Sequence, residues 1–387
     1  MTLRPLFPPA APAAAPSLIV AVTGRALAAS AARGGYASVV LDFFADRDTR
    51  AHAQATRVVA LPHALRMDAR ALRAAIRELT PAGGWMGVVP GAGFEALPAL
   101  LDLLASCAPL YGNPADVVAR VKDPARFTGL LDHLGLPHPE VRLTPAADPR
   151  GWLEKRTGGA GGLHIRPARR RLPRGAYLQR WCEGRALSAT FLADGARALI
   201  LGFNEQWTEG TPERPYVYGG AVSGLQLPAT LEAELAGALD ALVRATGVVG
   251  LGSLDFLQEG NAWWILELNP RPTATMELHD PGFPRGLFDA HLRACAGELP
   301  PIAPAPSGAR AHAIVPAPAA WRVGEGFEFP AWCHDLPLGG TAFAPGMPVC
   351  TVTAEAPSPA AAAALARARR AELLAAIQTD LSSAVGA

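Results

Sequence analysis

Short apolar runs alternate, in the first third of this chain, with segments whose apolar positions recur every three or four residues. Residues 18–22 read as a strand, Thr23 and Gly24 as a turn, Arg25–Arg33 as a helix stopped by Gly34 and Gly35, and residues 38–43 as the next strand. A strand, a crossover helix and a second parallel strand predict a Rossmann-like sheet. A helix over residues 66–79 and a strand over Gly87–Pro90 continue the pattern. That strand ends in GAGFE, residues 91–95. A glycine turn there is either a ligand-binding edge of an α/β sheet or a plain strand-to-helix turn. Only Gly24 stands where a GxGxxG fingerprint would lie, which argues against a nicotinamide dinucleotide.

The rhythm changes at Asn113. A helix over residues 127–134 closes at Gly135, and residues 152–193 are β-rich around a glycine loop. An amphipathic helix over residues 228–246 carries its proline in the first turn and stops at Gly247. From residue 311 the chain is β again, and Ser358 and Pro359 form a cap and first-turn pair for a last helix to about residue 377. The expected class is α/β (α+β), with a leader over 1–16, a Rossmann-like domain over 17–112, two central subdomains over 113–190 and 191–310, and a C-terminal β-appendage plus helix over 311–387.

Residues 254–272, LDFLQEGNAWWILELNPRP, break the apolar pattern in an informative way. Two strands flank a Gln-Glu-Gly-Asn turn, with Asp255 on the first and Glu267 and Asn269 on the second. Antiparallel pairing brings such positions close together. Two carboxylates and an amide oxygen form a hard-oxygen site suited to magnesium. Arg271, two residues beyond Asn269, projects to the same face and completes a phosphate-handling group.

Composition narrows the function. Hydrophobic residues make up 50% and charged residues 18%, which excludes a disordered chain, and a net charge of +1 offers no global field for nucleic acid or an anionic membrane. The arginines at 166, 169, 170, 171 and 174 read as a solvated loop or as a contact for an acidic substrate. Five scattered cysteines without a CxxC pair fit reduced thiols in a cytoplasm and argue against disulfides and structural zinc. No apolar run is long enough to span a membrane, and Pro8, Pro9, Pro12 and Pro16 would break a signal-peptide helix, so the leader reads as disordered.

Two further motifs precede the hairpin. EKRTGGAGGLHI, residues 154–165, places Lys155 at a strand end before Gly158, Gly159, Gly161 and Gly162. Such a loop either folds its N–H groups over phosphates or is a mobile surface hairpin. AYLQRWCEGRALSATFLADG, residues 176–195, is two strands joined through Glu183, Gly184 and Arg185, and Trp181 reads as a core aromatic on its own.

In this order, the glycine loop, the strand pair and the DF…ILELNPRP hairpin resemble the ATP-grasp superfamily from about Asn113 to Glu277. The resemblance implies an ATP-grasp fold in which Lys155 contacts phosphate. Gln179, Arg180, Trp181, Cys182 and Glu183 would form the adenine-binding hinge. It implies two magnesium ions, with manganese as a substitute, on Asp255, Glu267 and Asn269. Two departures stand out: Ala186 takes the place of the ribose-binding glutamate, with Glu183 as a substitute, and Pro124 takes that of an earlier phosphate lysine, with Lys122 and Arg126 to either side. Residues 333–355 resemble a β-appendage of members associated with one-carbon cofactors of methanopterin and methanofuran type.

The implied chemistry is a carboxylate–amine ligase. ATP phosphorylates a small carboxylic acid, an amine or amino acid such as glutamate attacks the acyl phosphate, and Arg271 stabilises the oxyanion. His279 and Asp280 would orient the amine or simply start a helix, and residues 216–224 read as a substrate-contact loop or a plain connection. A biotin- or purine-type carboxylase and a non-catalytic ATP sensor are the competing readings. A homodimer is the expected assembly.

Overall fold

A computed structural model of the chain describes residues 15–61, 66–301 and 308–385. All but the last two residues of the leader lie outside the described residues. The first domain contains β1 (Ser17–Val20), α1 (Arg25–Arg33), β2 (Ser38–Asp42), α2 (Arg47–His52), β3 (Ala55–Val58), α3 (Ala69–Leu79), β4 (Gly87–Pro90) and α4 (Ala99–Ala105). Its strands are all parallel in the order β3-β2-β1-β4. Helices cover both faces, so Leu18, Ile19 and Val20 are fully buried without alternation. Helix α3 begins at Ala69 rather than residue 66 because the Asp68 carboxylate caps it, accepting from the Arg70 and Ala71 amides at 2.8 and 3.3 Å.

Next come α5 (Ala115–Lys122) and α6 (Pro124–His133). Helix α6 starts three residues before the apolar periodicity indicated, capped by Asp123 with Pro124 in its first turn. A small antiparallel sheet follows, made of β5 (Val141–Arg142), β6 (Trp152–Arg156), β7 (Arg166–Pro167) and β8 (Ala176–Arg180) in the order β5-β8-β6-β7.

The remaining elements are β9 (Arg185–Asp194), β10 (Ala198–Thr208), β11 (Tyr218–Leu225), α7 (Ala229–Thr246), β12 (Val249–Glu259), β13 (Ala262–Asn269), α8 (Met276–His279), α9 (Gly286–Cys295), β14 (Ala309–Pro316), β15 (Trp321–Arg322), β16 (Cys333–His334), β17 (Ala342–Phe343), β18 (Pro348–Ala356) and α10 (Pro359–Val385). Eight of these strands form one sheet, ordered β13-β12-β9-β10-β11-β14-β18-β16. The C-terminal strands therefore extend the sheet that holds the hairpin, through β11–β14 pairing. Helix α10 runs on past residue 377 to Val385. The glycine-rich stretch read as a loop becomes strand β11 from Tyr218, because Gly220 lets the Trp207 ring and the His312 carbonyl approach closer than any side chain would allow.

The two faces of this sheet differ in kind. Leu187, Ala189, Phe191, Phe203, Leu254, Phe256 and Leu268 join Leu231, Leu235, Leu239 and Leu242 of α7 in the main core. The spacing of those α7 leucines puts them on one stripe of the helix. The opposite face is apolar at one end, where Leu192, Leu201 and Leu251 pack against Leu287 and Phe288, and polar at the other, where the candidate site lies. Among the described residues no helix is long and apolar enough to cross a membrane.

Candidate active site

The β12–β13 hairpin turns at Gly260 and Asn261, with Gly260 in the left-handed region at φ 56°. Its register sets Asp255 opposite Glu267 and Ser253 opposite Asn269. Side chains opposite each other share a face. The same registers continue this face across the sheet, with Ser188 and Thr190 on β9, then Asn204 on β10. Hydrogen bonds bind the row together. The Asn269 amide donates to Asp255 Oδ2 at 3.1 Å and to Ser253 Oγ at 3.2 Å, and Gln206 donates to Asp255 Oδ1 at 3.4 Å.

Both lysines of the chain reach this row. Lys122, at the end of α5, donates to Glu267 Oε1 and, at 2.6 Å, to Asn269 Oδ1. Arg126, on the other side of Pro124, lends its backbone amide to the Asp123 cap. Lys155 on β6 is 7% exposed, and burial lowers its pKa against the opposing pull of Glu267 and Asp255. Burial raises Asp255 to about 6, with the Glu267 charge adding to the rise; burial pushes Glu267 upward too, but Lys122, Lys155 and Arg271 together hold it below its ordinary value.

Asn113 anchors the hairpin. Its amide donates to the carbonyls of Val249 and Pro270 and its oxygen accepts from Val249 N, all at 2.9 Å. The first domain contributes Glu95, from the GAGFE turn, which pairs with Arg271. Burial alone would raise Glu95, but Arg271 and Lys122 bring it down to about 2. Arg271 also donates from Nη1 to the Pro272 carbonyl at 3.2 Å.

The glycine loop lies against both neighbours. A Cβ on Gly158 would come within 2.6 Å of the Glu95 carbonyl oxygen, and Gly159 faces the His164 ring. Gly161 O accepts from Tyr218 N at 3.0 Å, and Gly162 abuts the Tyr216 carbonyl. At the hinge Gln179 is buried, Cys182 is half-buried, and Arg180 and Glu183 are exposed. Trp181 is 48% exposed, so it is not a core aromatic. Arg166 pairs with buried Glu154, whereas Arg169, Arg170, Arg171 and Arg174 are exposed. Asp280 docks α1 on α9, bonding Ser30 Oγ and Leu287 N at 2.6 Å each, and has no role at the hairpin. His279 bonds Asn204 Oδ1 at 2.8 Å, and burial lowers it to about 4.

Sequence reasoning misses Gln206 and His312, whereas Glu95 and Tyr218 lie in the segments it reads as a ligand-binding turn, 91–95, and a substrate-contact loop, 216–224. A signal did exist on the strands: Ser188 with Thr190, Asn204 with Gln206, and Ser253 with Asp255 each recur with period two in otherwise apolar runs.

The donor set suits magnesium held jointly with phosphate oxygens. Two carboxylates and one amide oxygen converge, and the Lys122 ammonium already sits among them as a positive charge. No cluster of three His, Cys, Asp or Glu side chains poised for a metal occurs among the described residues.

Paired carboxylates on the large sheet thus face Lys122 of α5, while Lys155 and the glycine loop belong to the small sheet beside them. Residues 121–275 match the ATP-grasp domain family, and the chain carries an ATP-grasp domain. The large chain of carbamoyl phosphate synthase from Deinococcus radiodurans is 26% identical over 243 residues, covering 55% of this chain and 23% of that protein. The chain thus spans about a quarter of the length of that relative. Among solved structures, pyruvate carboxylase from Rhizobium etli superposes with a TM-score of 0.71 at 16% identity, over 95% of this chain and 39% of the carboxylase. The L-amino acid ligase from Bacillus licheniformis gives 0.66 at 13% identity, over 92% of this chain and 96% of the ligase. These likenesses show the fold.

Proposed function

We propose that the chain is an ATP-dependent carboxylate–amine ligase that forms an amide through an acyl phosphate. The observation that carries this reading is the convergence of Asp255, Glu267 and Asn269 on one sheet face, with Lys122 from α5 bonded to two of them and Lys155, on the small sheet, within electrostatic reach of both carboxylates. The ATP-grasp match supports it, and so does a fold shared end to end with an L-amino acid ligase.

Asp255, Glu267 and Asn269 would hold magnesium, which when bound neutralises charge on phosphate oxygens. Lys155 and Lys122 add fixed positive charge, and Lys155 does so from a buried position where it acts strongly. The loop over Gly158–Gly162 lies against Glu95 and Tyr216, excluding water from an acyl phosphate that would otherwise hydrolyse. Arg271, steadied by Glu95, faces the oxyanion that forms when the amine attacks.

The test is ADP release by the purified protein with MgATP. The expected result is release only when an acid and an amine are both present. Bicarbonate-dependent turnover without an amine would make the protein a carboxylase, and tight ATP binding with no turnover would make it a sensor. A pH series tests the site itself. Because Asp255 must be ionised to bind metal and titrates at about 6, magnesium-dependent affinity for ATP should be flat above that value. Below it, affinity should weaken by about tenfold per pH unit. Affinity that does not change between pH 5 and 7 would remove Asp255 from the ligand set.

A further inference from the structure

Away from the metal ligands, the same polar face holds a second chain of buried groups. The Tyr218 hydroxyl lies 2.6 Å from His312 Nε2. His312, 1% exposed, sets Nδ1 3.0 Å from Glu277 Oε1, off the line of a straight hydrogen bond. Glu277 is held in turn by Arg25, Nη2 to Oε2 at 2.7 Å, and Arg25 is braced by Asp335 at 3.2 Å. Five stretches of chain supply these residues: α1, β11, α8, β14 and the bend after β16.

A nitrogen facing a carboxylate carries the proton, so His312 presents Nε2 as an acceptor to the tyrosine. Arg25 keeps Glu277 charged and fixed, and Asp335 in turn holds Arg25. Burying such a set is costly and purely apolar packing would serve stability as well. The Tyr218 end of the chain lies toward the candidate site, where the Asp255 charge acts on its hydroxyl. Tyr218 is half-buried, its backbone amide holds the glycine loop at Gly161, and its neighbour Tyr216 meets Gly162.

We propose that Tyr218, backed by His312 and Glu277, takes the proton from the attacking amine; this rests on the ligase reading above. The amine lone pair forms the new C–N bond and the carbonyl π pair moves to oxygen. The N–H proton passes to the Tyr218 oxygen as the phenolic proton passes to His312 Nε2, leaving an imidazolium beside Glu277. Collapse restores the carbonyl and breaks the C–O bond to phosphate, which departs with that electron pair. Product release returns the proton to water. Tyr218 is the catalytic residue, and His312, Glu277 and Arg25 position and charge it.

Hydroxylamine separates this step from activation, because it is unprotonated near neutral pH and captures an acyl phosphate without a base. The full-length protein is given MgATP and each proteinogenic L-amino acid as the acid, first with hydroxylamine and then with amino acids as amines. In Tyr218→Phe, hydroxamate formation should stay within about threefold of wild type while amide formation falls about 100-fold, the range of general-base catalysis, with the KM for the amine little changed. His312→Gln keeps an acceptor for the phenol but cannot take a proton. It should show the same split, and it carries the test if Tyr218→Phe fails to fold. Equal loss of both rates, or loss of neither, overturns the relay and leaves the ligase reading standing. No hydroxamate from the wild type with any of these acids sinks the ligase reading and the relay with it.

Discussion

Glu267→Gln should fold normally and lose turnover by about a thousandfold, since several kcal/mol of charge stabilisation at the transferred phosphoryl group would go with it, at 1.36 kcal/mol per decade. The substitution keeps the shape and an oxygen for Lys122 but removes the charge. Glu267 is half-buried at a sheet edge, so the structural cost is small, and Lys122 keeps Asn269 as a partner. The Asp255 carboxyl should also titrate lower, because Glu267 is one of the charges raising it. ADP release with the acid and amine that serve the wild type measures the effect, alongside an unfolding curve. Full activity in a folded variant would refute the metal assignment.

Gly162→Ala should cripple the loop without unfolding the protein. Gly162 sits at φ 73°, and any Cβ there would drive into the Tyr216 carbonyl. Backbone cannot yield as the tip of a side chain can, so the loop must lift off β11. Gly161 provides the control. It is also left-handed, at φ 64°, but has open space where its Cβ would be. Gly161→Ala should therefore cost only the left-handed backbone term, about 1–2 kcal/mol. We expect the KM for ATP to rise by about tenfold or more in Gly162→Ala, a loss of at least ~1.4 kcal/mol, and to change little in Gly161→Ala. Equal behaviour of the two variants would mean that loop closure against Tyr216 does not matter for ATP.

Much of this arrangement is legible in the chain because its signals are local. The hairpin itself follows from apolar strands and a short turn, but a straight ladder from that turn would set Asp255 opposite Leu266; a register shift between Phe256 and Asp255 brings Glu267 opposite it instead. Strand β1 is legible too, since its buried run has no polar gap. Helix starts at Asp68 and Asp123 were misplaced by two or three residues, because apolar periodicity reports the buried stripe and not the cap. Trp181 illustrates the opposite limit: size and apolarity favour burial, yet its strand ends at the sheet margin and leaves it 48% exposed.

The sequence by itself determined the hairpin that carries Asp255 and Glu267 and the glycine loop between two strands, since each depends on residues within one turn or hairpin. Tertiary structure alone decided that Lys122 rather than Arg126 reaches Glu267, that Glu95 takes Arg271, and that Tyr218, His312, Glu277 and Arg25 form one chain. Those contacts join residues from separate elements, and their partners are chosen by how the Rossmann-like domain and the C-terminal strands pack on the eight-stranded sheet. Spacing along a chain holds no record of that packing, because a buried charge is satisfied by whichever opposite charge the fold brings near.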